Sequence, residues 1–430
     1  MAIVGHPLKP AGYISRNIDL HLQKLLSSYT IVELEGVLGC GKNWLALAHS
    51  QSATNLSDTE IVLPIVQAEP LVALSGVAPH SILEWSHVPQ LSELIYREAR
   101  SRGAFITTTS VSLGERDRVT MRRWNHAAHI HIGTLSLCES GESTRTVILR
   151  GLMKRTFTPG EESCTLRLTA SLICAGGWPT RRGLPLDQAQ PVAEKQINKA
   201  LELTHAVRKK KLSTLHWVLA AIAQNAGTES TYASISHQLS AHMGKLPSRT
   251  TVLAYIRALE DTYLVDTIPG WIAPIRSSSR ARSKNRLIPC DPSILPCLLD
   301  MGPDDIMVRG DLMRAGLYTL VYRDLRSLMT SLGHDAPDSI MYYSDADGLD
   351  IDFILSFSQG GWAAVNVVLG EPHVPNAAKR LARLERKIRA NPESLLPAPL
   401  FKAVITASAH RRWVDAETGV YVFPITSLAQ

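Results

Sequence analysis

Gly36-Val37-Leu38-Gly39-Cys40-Gly41-Lys42-Asn43 is the stretch on which the reading of this chain turns. It fits the pattern G-x-x-x-x-G-K, with Asn43 standing where Ser or Thr is expected. Upstream, the β-branched run Tyr29-Thr30-Ile31-Val32-Glu33-Leu34 predicts a strand, and downstream Trp44 to His49 predicts a helix. A glycine loop in that position turns backbone amides toward an anion, and its lysine reaches the terminal phosphates of a nucleotide. The residues expected to hold nucleotide are Gly36, Gly39, Cys40, Gly41, Lys42 and Asn43. The hydroxyl missing at Asn43 is the group that ordinarily ligates Mg²⁺. The competing reading is a Gly-rich turn that binds nothing.

Outward from the loop, residues 13 to 30 put Ile18, Leu22, Leu25 and Leu26 on one helical face. Ser81-Ile82-Leu83-Glu84-Trp85 and Ala104-Phe105-Ile106-Thr107-Thr108 read as strands, with a helix from Pro89 to Arg102 between them. That alternation predicts an α/β domain with a mostly parallel sheet over residues 1–180. The Pro-, Gly- and polar-rich stretch Arg181 to Pro191 reads as a boundary, opening a linker over 181–211. Residues 212–275 read as a helical module: one helix carries Trp217, Leu219 and Ile222, a second covers Tyr232 to Leu239, and a third starts at the N-cap Ser248. Residues 276–430 read as a separate α+β domain. Its expected elements are a helix near 311–331, strands at Ile351–Ser356 and Trp362–Leu369, a helix near 376–389, and strands at Lys402–Ile405 and Gly419–Phe423.

The 430 residues, at about 150 per domain, accommodate about three domains. Lys and Arg outnumber Asp and Glu by 45 to 39, too small a surplus for a polyanion coat but compatible with a local basic patch. A 45% hydrophobic and 20% charged composition excludes global disorder. No apolar run reaches the ~18 residues of a membrane span, and the opening residues lack the pattern of a signal peptide. The six cysteines include no C-x-x-C pair. These features predict a reduced, cytoplasmic protein without membrane association. His126, His129 and His131 have no Cys or carboxylate beside them in sequence, so no metal site is expected there.

Tyr13-Ile14-Ser15-Arg16 before a helix, followed by a strand and Gly39-Cys40-Gly41-Lys42-Asn43-Trp44, resembles the bacterial AAA-type P-loop ATPases that carry a C-terminal domain of unknown function. Ser81 to Trp85 resembles their Walker B segment; the likeness implies Glu84 as the water-positioning residue but puts Leu83 where the magnesium-binding Asp belongs. Phe105 to Ser110 is similar to their third strand, with Thr108 as sensor. Glu139-Ser140-Gly141-Glu142-Ser143 and Gly176-Gly177-Trp178-Pro179 match two further family strings, and the expected arginine after the sensor falls in the stretch Arg122 to His129.

The resemblance implies ATP as ligand, yet neither Asn43 nor Leu83 suits Mg²⁺. It implies a winged-helix-like middle module in which Arg249, Thr250 and Arg257 meet nucleic acid, supported by the basic runs Arg208 to Lys211 and Arg276 to Arg286. A helical connector with a solvated basic rim fits the same residues. It further implies a PD-(D/E)XK-like C-terminal domain: Asp350 and Asp352 keep the acidic half, Asn366 and Val368 replace the Glu-x-Lys pair, and Tyr318 stands where a family helix often has Glu. The function so implied is that of a degenerate AAA-type ATP-binding protein without efficient hydrolysis, acting through DNA or protein contacts. The alternatives are an active ATPase with atypical Walker motifs and a nuclease-like DNA-processing protein.

Overall fold

In the computed structural model, residues 8–112, 127–228, 232–244, 246–272, 284–392 and 394–430 are described. The run before the glycine loop forms β1 (Ile31–Glu35), and the segment after it forms a helix, Lys42–Ala48. Around β1 stands a five-stranded, all-parallel sheet, with β2 (Ser52–Asn55), β3 (His80–Leu83), β4 (Phe105–Thr109) and β5 (Ala127–His131) in the order β2-β3-β4-β1-β5. β3 and β4 are buried on both faces, which explains their continuous apolar or threonine-rich sequence. β2 (Ser-Ala-Thr-Asn) is a short edge strand without an apolar signal, and it escaped the pattern reading.

Two helical expectations change. The first helix, α1, spans Asp19–Ser28 rather than starting at residue 13. Asp19 accepts the Arg16 amide at 2.9 Å and the Tyr13 hydroxyl at 2.6 Å, and these side-chain bonds hold the preceding residues in a turn. With Lys42–Ala48 as α2 and Leu91–Glu98 as α3, the next helix of consequence is α4, Leu186–Arg208, which occupies most of the expected linker. Pro191 lies inside α4, but Ala189, Ala193, Ile197, Ala200 and Leu201 recur at helical spacing and are buried. Their burial overrides the breaker signal.

The middle segment forms α5 (Leu212–Gln224), α6 (Tyr232–Met243) and α7 (Arg249–Glu260), followed by an antiparallel pair, β8 (Val265–Ile268) and β9 (Arg286–Pro289). Ser248 caps α7 by accepting the Thr251 amide at 3.1 Å.

The last segment packs the buried helix α8 (Gly310–Ser331) beneath a mixed sheet, with α9 (Val374–Arg389) on the opposite side. That sheet runs β10 (Ile340–Ser344), β11 (Asp350–Ser356), β12 (Trp362–Val368), β13 (Lys402–Thr406), β15 (Tyr421–Pro424), β14 (Ala409–Val414) and finally β7 (Gly160–Cys164). β7 comes from the first 180 residues and pairs antiparallel with β14, while β6 (Val147–Ile148) pairs with β16 (Leu428–Ala429). One buried cluster accordingly runs from Val32 and Ile106 through Leu219 and Ile256 to Leu320 and Val365.

Candidate functional site

The glycine loop turns at the C-terminal edge of the parallel sheet, the edge where open α/β sheets bind ligands. Gly39 and Gly41 adopt φ of +88° and +97°, left-handed values that favour glycine at both positions. A Cβ on Gly39 would also lie 2.7 Å from Gln196 Oε1 of α4. Cys40 builds the loop from within: its amide closes a turn on Val37, and its carbonyl accepts Arg16 Nη1 at 3.1 Å. Arg16 is buried and also holds Glu139 at 2.8 Å and the Gly133 carbonyl at 2.9 Å. The motifs around Ser15-Arg16 and Glu139-Ser140 are thus one structural unit clasping the loop.

Gly39, Gly41, Lys42 and Asn43 line a cavity of about 690 Å³, within the size range of small-molecule pockets. Gly36 and Cys40 lie behind the lining. Tyr13, Ile14, Leu38, Trp44, Leu47 and Pro179 give the cavity an apolar wall, and Asn55, Thr180 and Arg182 supply polar groups. Sequence reading missed Tyr13 and Arg182 as lining residues, because both reach the loop from segments read as flanks.

Lys42 is buried and pairs with Glu84 at 3.0 Å, and it donates to Ser110 Oγ at 2.5 Å. Ser110 in turn binds Glu84 through its amide (2.8 Å) and its hydroxyl (3.0 Å). Glu84 has a left-handed backbone, φ 56°, just past the end of β3. Thr108 accepts the Glu84 amide at 2.9 Å and donates to Asn43 Oδ1 at 2.7 Å. The structure therefore brings Lys42, Asn43, Glu84 and Thr108 together, and adds Ser110. Leu83 is buried and presents only carbon to the cavity, and the Asn43 amide oxygen already accepts Thr108. This donor set does not fit a Mg²⁺ ion.

Burial alone would raise the Glu84 pKa, but Lys42 and the Ser110 donors outweigh it and hold the carboxyl below its usual range. The stability contributed by the charged pair is therefore present above the ordinary Glu range and lost as pH falls through the depressed value. The stability gap between wild type and Glu84→Gln, read from urea midpoints, is expected to be widest near neutrality and to close as the pH falls below the ordinary Glu range. A gap that widened toward acid would contradict the pairing.

The histidine cluster resolves into separate pairs. His129 Nδ1 lies 2.7 Å from Glu33, which also accepts Trp85 Nε1 at 2.8 Å, and His131 lies 3.8 Å from Asp266. Burial opposes charge on His129, yet Glu33 raises its pKa overall. The carboxylates absent from the local sequence arrive from β1 and β8. Among the described residues, no three His, Cys, Asp or Glu side chains are grouped to hold a metal. His126 and the Arg122–Arg123 pair lie outside the described residues.

In the middle segment Arg249, Thr250 and Arg257 are exposed, opposite the buried Val252, Ile256 and Leu259. Arg208 is engaged with Asp261 at 3.1 Å, and Lys210 lies over the Tyr255 ring at 5.5 Å. Of the run from Arg276, residues 276–283 lie outside the described residues.

In the C-terminal sheet, Asp350 and Asp352 are met by arginines. Arg286, almost fully buried, pairs with Asp350 at 2.5 Å and lies over the Tyr342 ring, 3.9 Å from its centroid. Arg314 pairs with Asp352 at 2.8 Å. The other Asp352 oxygen accepts the Val367 amide at 2.8 Å, and Asn366 bonds the Asp352 amide and the Ala377 carbonyl. Burial raises the Asp350 pKa, with Arg286 opposing it. Two cations and a backbone amide thus occupy the coordination that a nuclease metal would need, and Asn366 is committed to the fold.

Comparisons with known proteins add little beyond the geometry. A family described as a domain of unknown function (DUF8612) matches residues 166–305, which run from the helix before Gly176 through the middle helices and past β9. No curated protein matches. Among solved structures, a Walker-type ATPase of Pyrococcus abyssi is similar at 13% identity and a TM-score of 0.42, with 67% of this chain and 96% of that chain covered. No helix among the described residues is long and apolar enough to cross a membrane.

Proposed function

We propose that this chain is a AAA-type P-loop protein that binds ATP weakly and hydrolyses it inefficiently, and that it acts through contacts with DNA or another protein. The observation that carries this reading is the strand–loop–helix, with left-handed Gly39 and Gly41 and with Lys42 at the wall of a nucleotide-sized cavity. The threonine of β4 that the resemblance makes a sensor bridges Asn43 and Glu84, on a strand lying between β1 and β3. Gly39, Gly41 and Lys42 would take the phosphates, and Tyr13, Trp44 and Pro179 would face the base. The loss of the hydroxyl at Asn43 and of the carboxylate at Leu83 removes the clamp that neutralises charge on a transferring phosphoryl group, so turnover is slow. The middle segment, three helices followed by an antiparallel pair, supports a winged-helix-like module whose exposed Arg249, Thr250 and Arg257 contact the partner.

The test is titration of a fluorescent ATP analogue with and without Mg²⁺, beside a steady-state hydrolysis assay. Saturable binding, changed less than about threefold by Mg²⁺ and accompanied by negligible turnover, is the expected result. Mg²⁺-enhanced binding with hydrolysis would instead establish the active ATPase, with Glu84 positioning water once Lys42 has moved to the phosphates.

A further inference from the structure

The positive surplus of this chain is concentrated on one element. α9 carries Lys379, Arg380, Arg383, Arg386, Lys387 and Arg389 against a single carboxylate, Glu385, which is five of the chain's net six charges. Its apolar face is already used: Val374, Ala377, Ala378, Leu381, Leu384 and Ile388 are buried in a core with Ile351, Trp362 and Val404. A helix with no apolar face left to insert is not an interfacial membrane helix.

Half of its cations have partners within the fold. Lys387 joins Asp345 (2.6 Å) and Asp347 (2.7 Å), Arg389 joins Glu385 (2.6 Å), and Lys379 stands 3.9 Å from an exposed Glu417. Arg380, Arg383 and Arg386 are exposed, and no ion pair reaches them among the described residues. Spaced three residues apart at about 1.5 Å rise each, they form a stripe about 9 Å long. Like charges at that spacing repel one another, a cost that a repeating anionic lattice removes. The exposed face of α9 carries no aromatic side chain, and aromatic platforms are how proteins hold the bases of single strands.

We propose that α9 is a docking surface for the phosphate backbone of duplex nucleic acid, with Arg380, Arg383 and Arg386 as its phosphate contacts. The surface gives affinity and orientation without reading sequence. It is distinct from the middle helices, where Arg208 and Lys210 already have partners, and it does not depend on whether the glycine loop binds ATP.

The experiment is fluorescence anisotropy of a fluorescein-labelled mixed-sequence DNA duplex with full-length protein across a salt series. Removing three phosphate contacts, at about 0.9 per contact, is expected to flatten the plot of log K against log salt by about 2.7 and to weaken binding at least about tenfold at low salt. The variant is Arg380→Gln/Arg383→Gln/Arg386→Gln, checked by thermal melting. Should it fail to fold, Arg380→Gln alone is expected to flatten the slope by about 0.9. Wild-type affinity and slope in the folded variant would overturn the proposal, as would loss confined to Arg249→Gln/Arg257→Gln. Wild-type protein that ignores duplex but binds phosphatidylserine vesicles would also overturn it, in favour of a membrane surface.

Discussion

Lys42→Ala is expected to weaken binding of the ATP analogue by about 1.5–3 kcal/mol, between about ten- and a hundredfold in Kd, the range for a hydrogen bond to a charged group. The physical reason is geometric. Lys42 is a buried cation on the wall of the cavity, and its removal leaves the Glu84 carboxylate facing any incoming phosphate. The same arrangement predicts an effect of opposite sign at its partner. Glu84 competes with phosphate for Lys42, so Glu84→Gln is expected to tighten binding by about 1 kcal/mol, roughly fivefold. In the Lys42→Ala background, Glu84→Gln should recover only the repulsion and not the competition, so the two effects will not add. Isothermal titration of the four proteins checks this. Equal affinity for wild type and Lys42→Ala would make the loop a Gly-rich turn and end the nucleotide reading.

The second large effect lies in the C-terminal sheet. Arg286→Ala is expected to destabilise the protein by about 2–4 kcal/mol, somewhat below the range for a fully buried pair, because Asp350 keeps contact with water. Part of the loss is the Tyr342 stacking and part is the carboxylate left behind. Arg286→Met/Asp350→Asn retains volume and removes the orphaned charge, so it should be markedly more stable than Arg286→Ala. Urea midpoints by tryptophan fluorescence report both. A change below about 0.5 kcal/mol in Arg286→Ala would mean that the pair behaves as a solvated surface contact.

The parts of this molecule that were legible in the sequence are those set by local pattern. The β-branched run, the glycines and the apolar spacing around Ile256 and Leu381 each dictate a conformation within a few residues. The site was legible as a list of types but not as a set of pairs. Glu84 and Ser110 stand 42 and 68 positions from Lys42, and only the β3–β4–β1 order brings their strand ends together. Likewise Asp350 and Asp352 read as a remnant acidic half, while the arginines that satisfy them come from β9 and α8. α4 was missed because one proline and its polar neighbours outweighed the small apolar residues that bury it. β7 was invisible as part of the C-terminal sheet because edge pairing leaves no local signature when the partner strand lies some 250 residues away.

That last pairing bears on how the chain is made. β7 and β6 lie far upstream of their partners β14 and β16, so each is translated well before the strand it pairs with. Until then both strands present unpaired edges, and the contacts that close the fold are of very high sequence separation. The segment that carries β6 and β7 and the C-terminal sheet are therefore completed together. The parallel-sheet segment and the C-terminal sheet are thus stitched by strand pairing at two places rather than joined through a tether alone.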